Sequence, residues 1–546
     1  MSGDLNSIIR YRAEYQPSDI ALQIIGEPKE PYTILSYADL LGCAQLGWAR
    51  LQNSGIRTGD RIILSLPTGR ELITALLGAF WGGVTPTIMA PLQKDFQSQC
   101  SQRLAILNTR AVVTDLSVEI PDLLVLPSSV FSGVDDQASE PAVFDGHAYI
   151  QFSSGSTGSA KGIALEWSAI TSNLQSMADR LSPESLARSC SWLPMYHDMG
   201  LFGGLLLPLY VGGSCHLMDS AQFRRNPLRW MRILSEAQST LSVAPPSALL
   251  AVIRLLKRSR DLSLDLSSLV RFVVGAELVS HQLIEAYNEV LVQQHSARPE
   301  ALKPVYGLAE STLAVTIPHD QKKPLIDWID PDVLMSAGIA RRSDPAAGNR
   351  FAVVSTGPAV QGQEITIRDA AGQILPDRTV GNVWIRSPSL MSGLYNQEGF
   401  VAHAGEWLDT GDRAYISSGQ LYIIGREKDI IIKHGRNLYP DTIEQIALLQ
   451  AGVRRAIALG IYDSDLSSER LILLVEFKES SAQSRDKVRL AIRSDLIACG
   501  YEVDEIHLVD RQALPITTSG KPRRAEAKAM FQRGDLASRQ RQIGKR

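Results

Sequence analysis

The chain has 546 residues, more than one hydrophobic core supports, since single cores stop growing at roughly 250–300 residues; at least two domains are expected. Its 55 basic and 58 acidic residues leave a net charge of −3, which excludes the basic surplus of a nucleic-acid binder and favours a small-molecule substrate. The five cysteines, Cys43, Cys100, Cys190, Cys215 and Cys499, lack CxxC spacing, and no apolar run reaches the ~18 residues of a spanning helix, so a zinc site, a disulfide framework and a membrane span are not expected and a cytoplasmic location is.

Apolar residues at Leu41, Ala44, Trp48 and Leu51 recur at helical spacing between an N-cap at Ser36 and a stop at Gly55. A buried strand at RIILSLP, a helix at ELITALLGAF and a strand at VTPTIM follow. This alternation predicts an α/β region of mainly parallel sheets covered by helices. It returns at the strand LVRFVVG, ending at Gly275, and at a helix from His281 to Gln293. From about residue 351 the texture changes to short alternating runs broken by Gly and Pro, such as GQEITIRDAAGQILP and GNVWIRSPSL, which predict a β-rich subdomain to about 427. Residues 428–546 then predict a small α+β domain. Its elements are a helix at DTIEQIALLQ, strands at RAIALGIY and LILLVEF, a helix near Val488 to Ile497 and a strand at EIHLVD. The short charged connection GREKD is the expected hinge.

The segment AYIQFSSGSTGSAKG runs from a strand at Ala148 to Phe152 into a loop holding Ser153, Ser154, Gly155, Ser156, Thr157, Gly158 and Lys161. Glycines admit anionic oxygens to the backbone amides, hydroxyls donate further bonds and the lysine adds a cation. No GKS or GKT follows, so this is not a Walker loop. Read alone, such a loop is as often a flexible turn as a phosphate site.

SSGSTGSAKG resembles the signature phosphate loop of the adenylate-forming superfamily, which includes acyl-CoA synthetases, luciferases and peptide-synthetase adenylation domains. Five further motifs agree, in the same order. They are VGAE (Val274 to Glu277), YGLAEST (Tyr306 to Thr312), TGD (Thr410 to Asp412), GREKD (Gly425 to Asp429) and LPITTSGKPRR (Leu514 to Arg524).

The resemblance implies a two-domain enzyme, residues 1–427 and 428–546, that uses ATP and Mg²⁺ to convert a carboxylic acid to its acyl adenylate. It implies that Lys521 is the catalytic lysine of the mobile domain, bridging the acyl oxygen and the α-phosphate. His197, in SWLPMYHDMGLFGG, would stand beside the substrate carboxylate, and Asp412 and Arg426 would hold the ribose. Gly275, Ala276, Glu277, Tyr306 and Gly307 would cover the adenine, Glu310 would stand near the Mg²⁺, and Lys428 would be the hinge. Each has a plainer alternative: a solvated tail lysine, a structural histidine, a turn aspartate, a core tyrosine, a helix-start glutamate or a loop charge.

YHDMGL and GRNLYPDTIE (Gly435 to Glu444) resemble the fatty acyl-AMP ligase branch more closely than the acyl-CoA synthetases. The stretch PLIDWIDPDVLMSAGIARRSDPAAGNR, within about 322–350, lies where that branch carries an insertion that restrains the small domain. The resemblance therefore implies a fatty acid substrate and, as partner, the phosphopantetheine thiol of an acyl carrier protein. Two departures stand out: Pro246 and Ser247 in APPSALL, where the family has Asn-Phe near the acyl pocket, and Arg413 and Ala414 after the TGD aspartate. An acyl-CoA synthetase, an amino- or aryl-acid adenylating enzyme and a non-catalytic nucleotide-binding homologue are the alternatives. The basic residues after Lys521 (Arg523, Arg524, Lys528, Arg533, Arg539, Arg541, Lys545, Arg546) read as a solvated tail or as a docking surface for an acidic carrier.

Overall fold

The computed structural model describes residues 4–27, 30–91, 96–118, 120, 123–133, 139–153, 161–182, 186–259, 262–319, 322–344, 350–463, 467–478, 481–517 and 521–536, excepting the side chains of 96–99 and 153. The fold is mixed α/β. Its first long helix, Tyr37–Asn53, starts on a capping box: Ser36 Oγ accepts from the Asp39 amide at 3.2 Å, and the Asp39 carboxylate accepts from the Ser36 amide at 2.8 Å. Gly55, at φ +84°, lies just beyond its end. Strands Arg61–Ser65 and Thr85–Ile88, joined by helix Arg70–Trp81, pair in parallel and are completed by Ala111–Thr114 and Leu124–Leu126.

A seven-stranded sheet lies beside this one. Its order is Leu302–Pro304, Arg271–Val274, Leu241–Ala244, Arg188–Ser191, Ser214–Met218, Ile20–Ile25 and Thr33–Ser36, and only the last pair is antiparallel. One buried core joins the two sheets and their helices. Its fully buried Leu, Ile, Val and Phe side chains each stabilise the fold by about 1.5–3 kcal/mol in transfer terms.

The helix expected from His281 to Gln293 is broken. It is α-helical over His281–Tyr287, widens to a π-turn over Asn288–Val292 and resumes over Gln293–His295. The wider turn lets Val290 and Leu291, adjacent in sequence, both be fully buried.

The β-rich region contains an antiparallel sheet of Glu364–Arg368, Gly381–Arg386, Leu408–Ser417 and Gln420–Arg426. Its limits differ from the expectation in two ways. Strand Phe351–Val354 pairs with Ile326–Ile329 from inside the insertion, so that segment belongs to the fold rather than looping out of it. Strands Gly393–Asn396 and Gly399–Ala402 leave the β-rich sheet and pair through Lys161–Leu165 with Tyr149–Ser153. Tyr395 carries the reason, since it is buried against Leu107, Ile150 and Ala164 of the large region.

Beyond residue 430 a separate core forms from helix Pro440–Leu448, antiparallel strands Val453–Asp463 and Ser468–Phe477, helix Ala482–Ala498 and strand Glu505–Val509. The second helix starts earlier than apolar spacing indicates because Ser481 caps it, accepting from the Ser484 amide at 3.2 Å. Met335, from the insertion helix Pro331–Ala337, is 1% exposed and buried in this same core, while its neighbour Leu334 is buried in the β-rich core. Among the described residues no helix is long and apolar enough to cross a membrane.

Candidate active site

A cleft of about 2930 Å³ opens between the large region, the β-rich sheet and the C-terminal core, and Lys161, His197, Tyr306, Glu310, Asp412 and Lys521 all line it. Residues separated by hundreds of positions in the chain therefore share one space. On the phosphate-loop side, strands Tyr149–Ser153 and Lys161–Leu165 form a hairpin that sets Lys161 opposite Ser153. Ser154, Gly155, Ser156, Thr157 and Gly158 lie outside the described residues, as does the Ser153 side chain.

The strongest constellation joins the YGLAEST and TGD motifs. The Tyr306 hydroxyl donates to Asp412 Oδ2 at 2.7 Å, and Arg426 Nε lies 3.1 Å from Asp412 Oδ1. Strand pairing dictates this meeting, because Asp412 and Arg426 are cross-strand partners in the antiparallel register. The Asp412 amide also donates to Thr410 Oγ1 at 3.1 Å. Burial pushes the Asp412 carboxyl up, and Arg426 and the Tyr306 bond pull it back. Tyr306 is thus more than a flat cover. Burial and the Asp412 charge hold its phenol well above its ordinary value, so it stays protonated and donates.

Glu310 sits in the short turn Ala309–Ser311. Burial raises its carboxyl above the usual range, Asp198 and Asp412 add to the rise and Arg426 opposes it. Among the described residues no group of three or more His, Cys, Asp and Glu could hold a metal. The turn before Glu310 requires glycine, because a Cβ on Gly307 would stand 1.8 Å from the Leu313 carbonyl oxygen.

His197 Nδ1 lies 3.9 Å from Asp198 Oδ1, and Asp198 caps the following π-turn segment Met199–Leu206 by accepting from the Met199 amide at 2.7 Å. Burial raises Asp198, but the nearby His197, the charge of Lys521 and the Met199 amide outweigh it, and the carboxyl is held below its usual range. Lys521 is set on a hairpin. Its amide donates to Thr517 Oγ1 at 3.0 Å, its carbonyl accepts from the Thr517 amide at 2.9 Å, and Ile516 bridges to Pro522. The Lys521 ammonium acts on Asp198, Glu277 and Asp412 alike.

The VGAE turn follows strand Arg271–Val274. Ala276 adopts φ +68°, unusual for a residue with a Cβ, and a Cβ on Gly275 would meet Val305 Cγ2 at 2.8 Å. Glu277, expected with the adenine-binding residues, lines the cleft as well. Its carboxylate accepts from the Ser247 amide at 3.0 Å and from Ser247 Oγ at 2.9 Å, capping helix Pro246–Leu256. The Pro-Ser departure thus has a structural account: Pro246 suits the first helical turn, and Ser247 supplies two donors to Glu277. Arg413 also finds a place, donating to Asn382 Oδ1 at 2.8 Å, while Asn382 donates to Glu427 Oε2 at 3.0 Å in the turn Glu427–Asp429. Lys428, in the turn Glu427–Asp429, lines the cleft edge, and burial followed by the Arg426 charge lowers its ammonium.

Arg524 contradicts the reading of a solvated tail. It begins the packed helix Arg524–Gln532 and is half-buried among Asp429, Asp441 and Glu444. Of the remaining basic residues after Lys521, Arg539, Arg541, Lys545 and Arg546 lie outside the described residues.

A shared cleft that unites Lys161, a Tyr–Asp–Arg cluster and a lysine from a separate core is the layout of an enzyme that handles a nucleotide. The profile of the AMP-binding enzymes matches residues 9–395. The long-chain-fatty-acid–AMP ligase FadD26 of Mycobacterium tuberculosis is 30% identical, over 95% of this chain and 95% of its own length. The medium-chain-fatty-acid–[acyl-carrier-protein] ligase JamA of Moorena producens is 28% identical over 97% and 95%. A solved structure from work on fatty acyl-adenylate ligases of E. coli and L. pneumophila superimposes with a TM-score of 0.88 at 30% identity, covering 98% of both chains. The chain belongs to the AMP-binding enzyme family and, within it, to the fatty acyl-AMP ligases.

Proposed function

We propose that this enzyme activates a fatty acid with ATP to acyl-AMP and pyrophosphate, and then delivers the acyl group to the phosphopantetheine thiol of an acyl carrier protein. The observation that carries the first step is the presence of Lys521 in one cleft with Tyr306, Asp412 and His197.

In that step a carboxylate oxygen attacks the α-phosphorus of ATP, a new P–O bond forms, and the bond to pyrophosphate breaks, with the electron pair leaving on pyrophosphate. Two anions must approach while charge builds on phosphorus, so a preorganised cation is the main demand on the protein. Lys521 meets it, reaching the acyl oxygen and the α-phosphate together. His197 borders the acyl end, with the Asp198 carboxylate 3.9 Å from its Nδ1. Asp412, held by Tyr306 and Arg426, accepts the ribose hydroxyls. The loop 153–161 cradles the phosphates, and the turn at Gly275, Ala276 and Gly307 beside Tyr306 encloses the base. Mg²⁺, held by Glu310 and phosphate oxygens, would neutralise phosphate charge. Residues 428–546 move as a body about Lys428 once pyrophosphate has left.

The insertion supports a carrier protein rather than free CoA as acceptor. Met335 is buried in the C-terminal core and Arg436 Nη2 lies 2.6 Å from Asp332 Oδ1, so helix Pro331–Ala337 pins the small domain in its present pose. JamA, a relative, is itself described as an acyl-carrier-protein ligase. Truncating a buried Met costs about 2–5 kcal/mol; Met335→Ala should therefore loosen the pin and raise CoA-dependent thioester formation several-fold, read by chromatography of acyl-CoA. Efficient thioester formation with CoA by the unmodified enzyme, and none with a holo carrier protein, would overturn the acceptor assignment.

A further inference from the structure

Arg524 occupies the first turn of its helix, where the helix dipole disfavours a cation. It is nevertheless bound more completely than a surface arginine. Its Nε donates to Glu444 Oε1 at 3.0 Å, Nη1 to Asp429 Oδ2 at 2.8 Å, and Nη2 both to Glu444 Oε2 at 2.8 Å and to Asp441 Oδ1. Asp441 and Glu444 are three residues apart on helix Pro440–Leu448 and so present one face to it. Asp429 belongs to the hinge turn Glu427–Asp429. Glu444 Oε1 also accepts from the Ala458 amide at 2.9 Å, which ties the cluster to strand Val453–Asp463. One guanidinium thus fastens three elements at once, which only the planar arginine fork can do.

What it fastens them to is the Lys521 hairpin. Lys521 and Arg524 are three residues apart, so even extended chain separates their Cα atoms by no more than about 10–11 Å. The Ile516–Pro522 bridge and the Arg523 amide bonded to the Pro515 carbonyl at 3.1 Å shorten the slack further. Asp441 reaches the opposite way, toward the nucleotide side: a Cβ on Gly425 would stand 3.6 Å from its Oδ2, and its charge acts on both Asp412 and Arg426. We propose that Arg524 is a positioning residue for Lys521, its four bonds to the hinge turn and to helix Pro440–Leu448 fixing where the catalytic hairpin stands against the cleft.

This rests on the adenylation reading of the site, and it predicts a loss confined to the step that needs Lys521. Because the hinge turn, the helix and the hairpin rotate together, Arg524 does not bear on the acyl transfer that follows. The test uses the full chain as wild type, Arg524→Met, Lys521→Ala and the double variant. Acid-dependent pyrophosphate release is followed in a single turnover, and discharge of purified acyl-AMP is followed with a holo acyl carrier protein. Arg524→Met should slow pyrophosphate release about a hundredfold, the scale of an ångström-sized misplacement of a reacting group, and leave discharge at the wild-type rate. The double variant should be no slower than Lys521→Ala, since a residue that acts through lysine has nothing left to position. Wild-type pyrophosphate release by Arg524→Met, equal losses in both steps, or a further full loss on the Lys521→Ala background would overturn the proposal. If Arg524→Met does not fold, Arg524→Lys, which keeps the charge and loses the fork, decides by the same criteria. No pyrophosphate release by the wild type would sink the adenylation reading as well, whereas absent discharge by the wild type would sink only the carrier assignment and leave the pyrophosphate cycle decisive.

Discussion

Lys521→Ala should abolish nearly all acyl-adenylate formation and leave the fold intact. Removing one preorganised charge from a developing phosphoryl transition state costs on the order of 10²- to 10³-fold in rate. In the proposed step the ammonium serves two anions, the acyl oxygen and the α-phosphate, so the upper part of that range is expected. The fold survives because the hairpin is fixed by backbone bonds, Lys521 with Thr517 and Ile516 with Pro522, rather than by the ammonium. The check is acid-dependent pyrophosphate release at saturating ATP together with a melting curve. A rate within about threefold of wild type would remove Lys521 from catalysis on the same scale, and a collapsed melting temperature would make its role structural.

Asp412→Ala should fail differently, in ATP binding before the chemical rate. Each hydrogen bond from a ribose hydroxyl to an ionised carboxylate contributes about 1.5–3 kcal/mol, so losing two would raise the KM for ATP by roughly a hundredfold or more. The protein also loses, because Tyr306 keeps a buried hydroxyl without its acceptor at 2.7 Å and Arg426 loses the carboxylate at 3.1 Å. Leaving the buried hydroxyl unsatisfied costs about 1–3 kcal/mol. Steady-state kinetics over a wide ATP range, with a chemical melt, separate the two effects. An unchanged KM for ATP would take Asp412 out of the ribose site.

How much of this was legible in the sequence depends on how far apart the interacting residues lie. The Ser36–Asp39 capping box closes within three residues, so the helix start could be read directly. The Asp412–Arg426 pair could be approached as well, since two short strands bring nearby positions into register. The Arg524 partners lie 80 to 95 residues away, and in a stretch rich in basic residues nothing local marks one of them as paired. Ser247 and Glu277 are 30 residues apart and belong to different segments of the sequence, so only the fold brings them into their bond. Strands Gly393–Asn396 and Gly399–Ala402 alternate like the β-rich strands around them, and only the buried Tyr395 marks their other allegiance. The π-turn after Tyr287 likewise has no signature in apolar spacing.

The most direct test of the central claim is acid-dependent AMP-ester formation followed by mass spectrometry. The enzyme is given ATP, Mg²⁺ and a panel of fatty, aryl and amino acids, each with and without CoA. The account predicts that a fatty acid yields an acyl adenylate that persists when CoA is added and disappears on addition of a holo acyl carrier protein. No adenylate from any fatty acid, or rapid conversion to acyl-CoA, would contradict it.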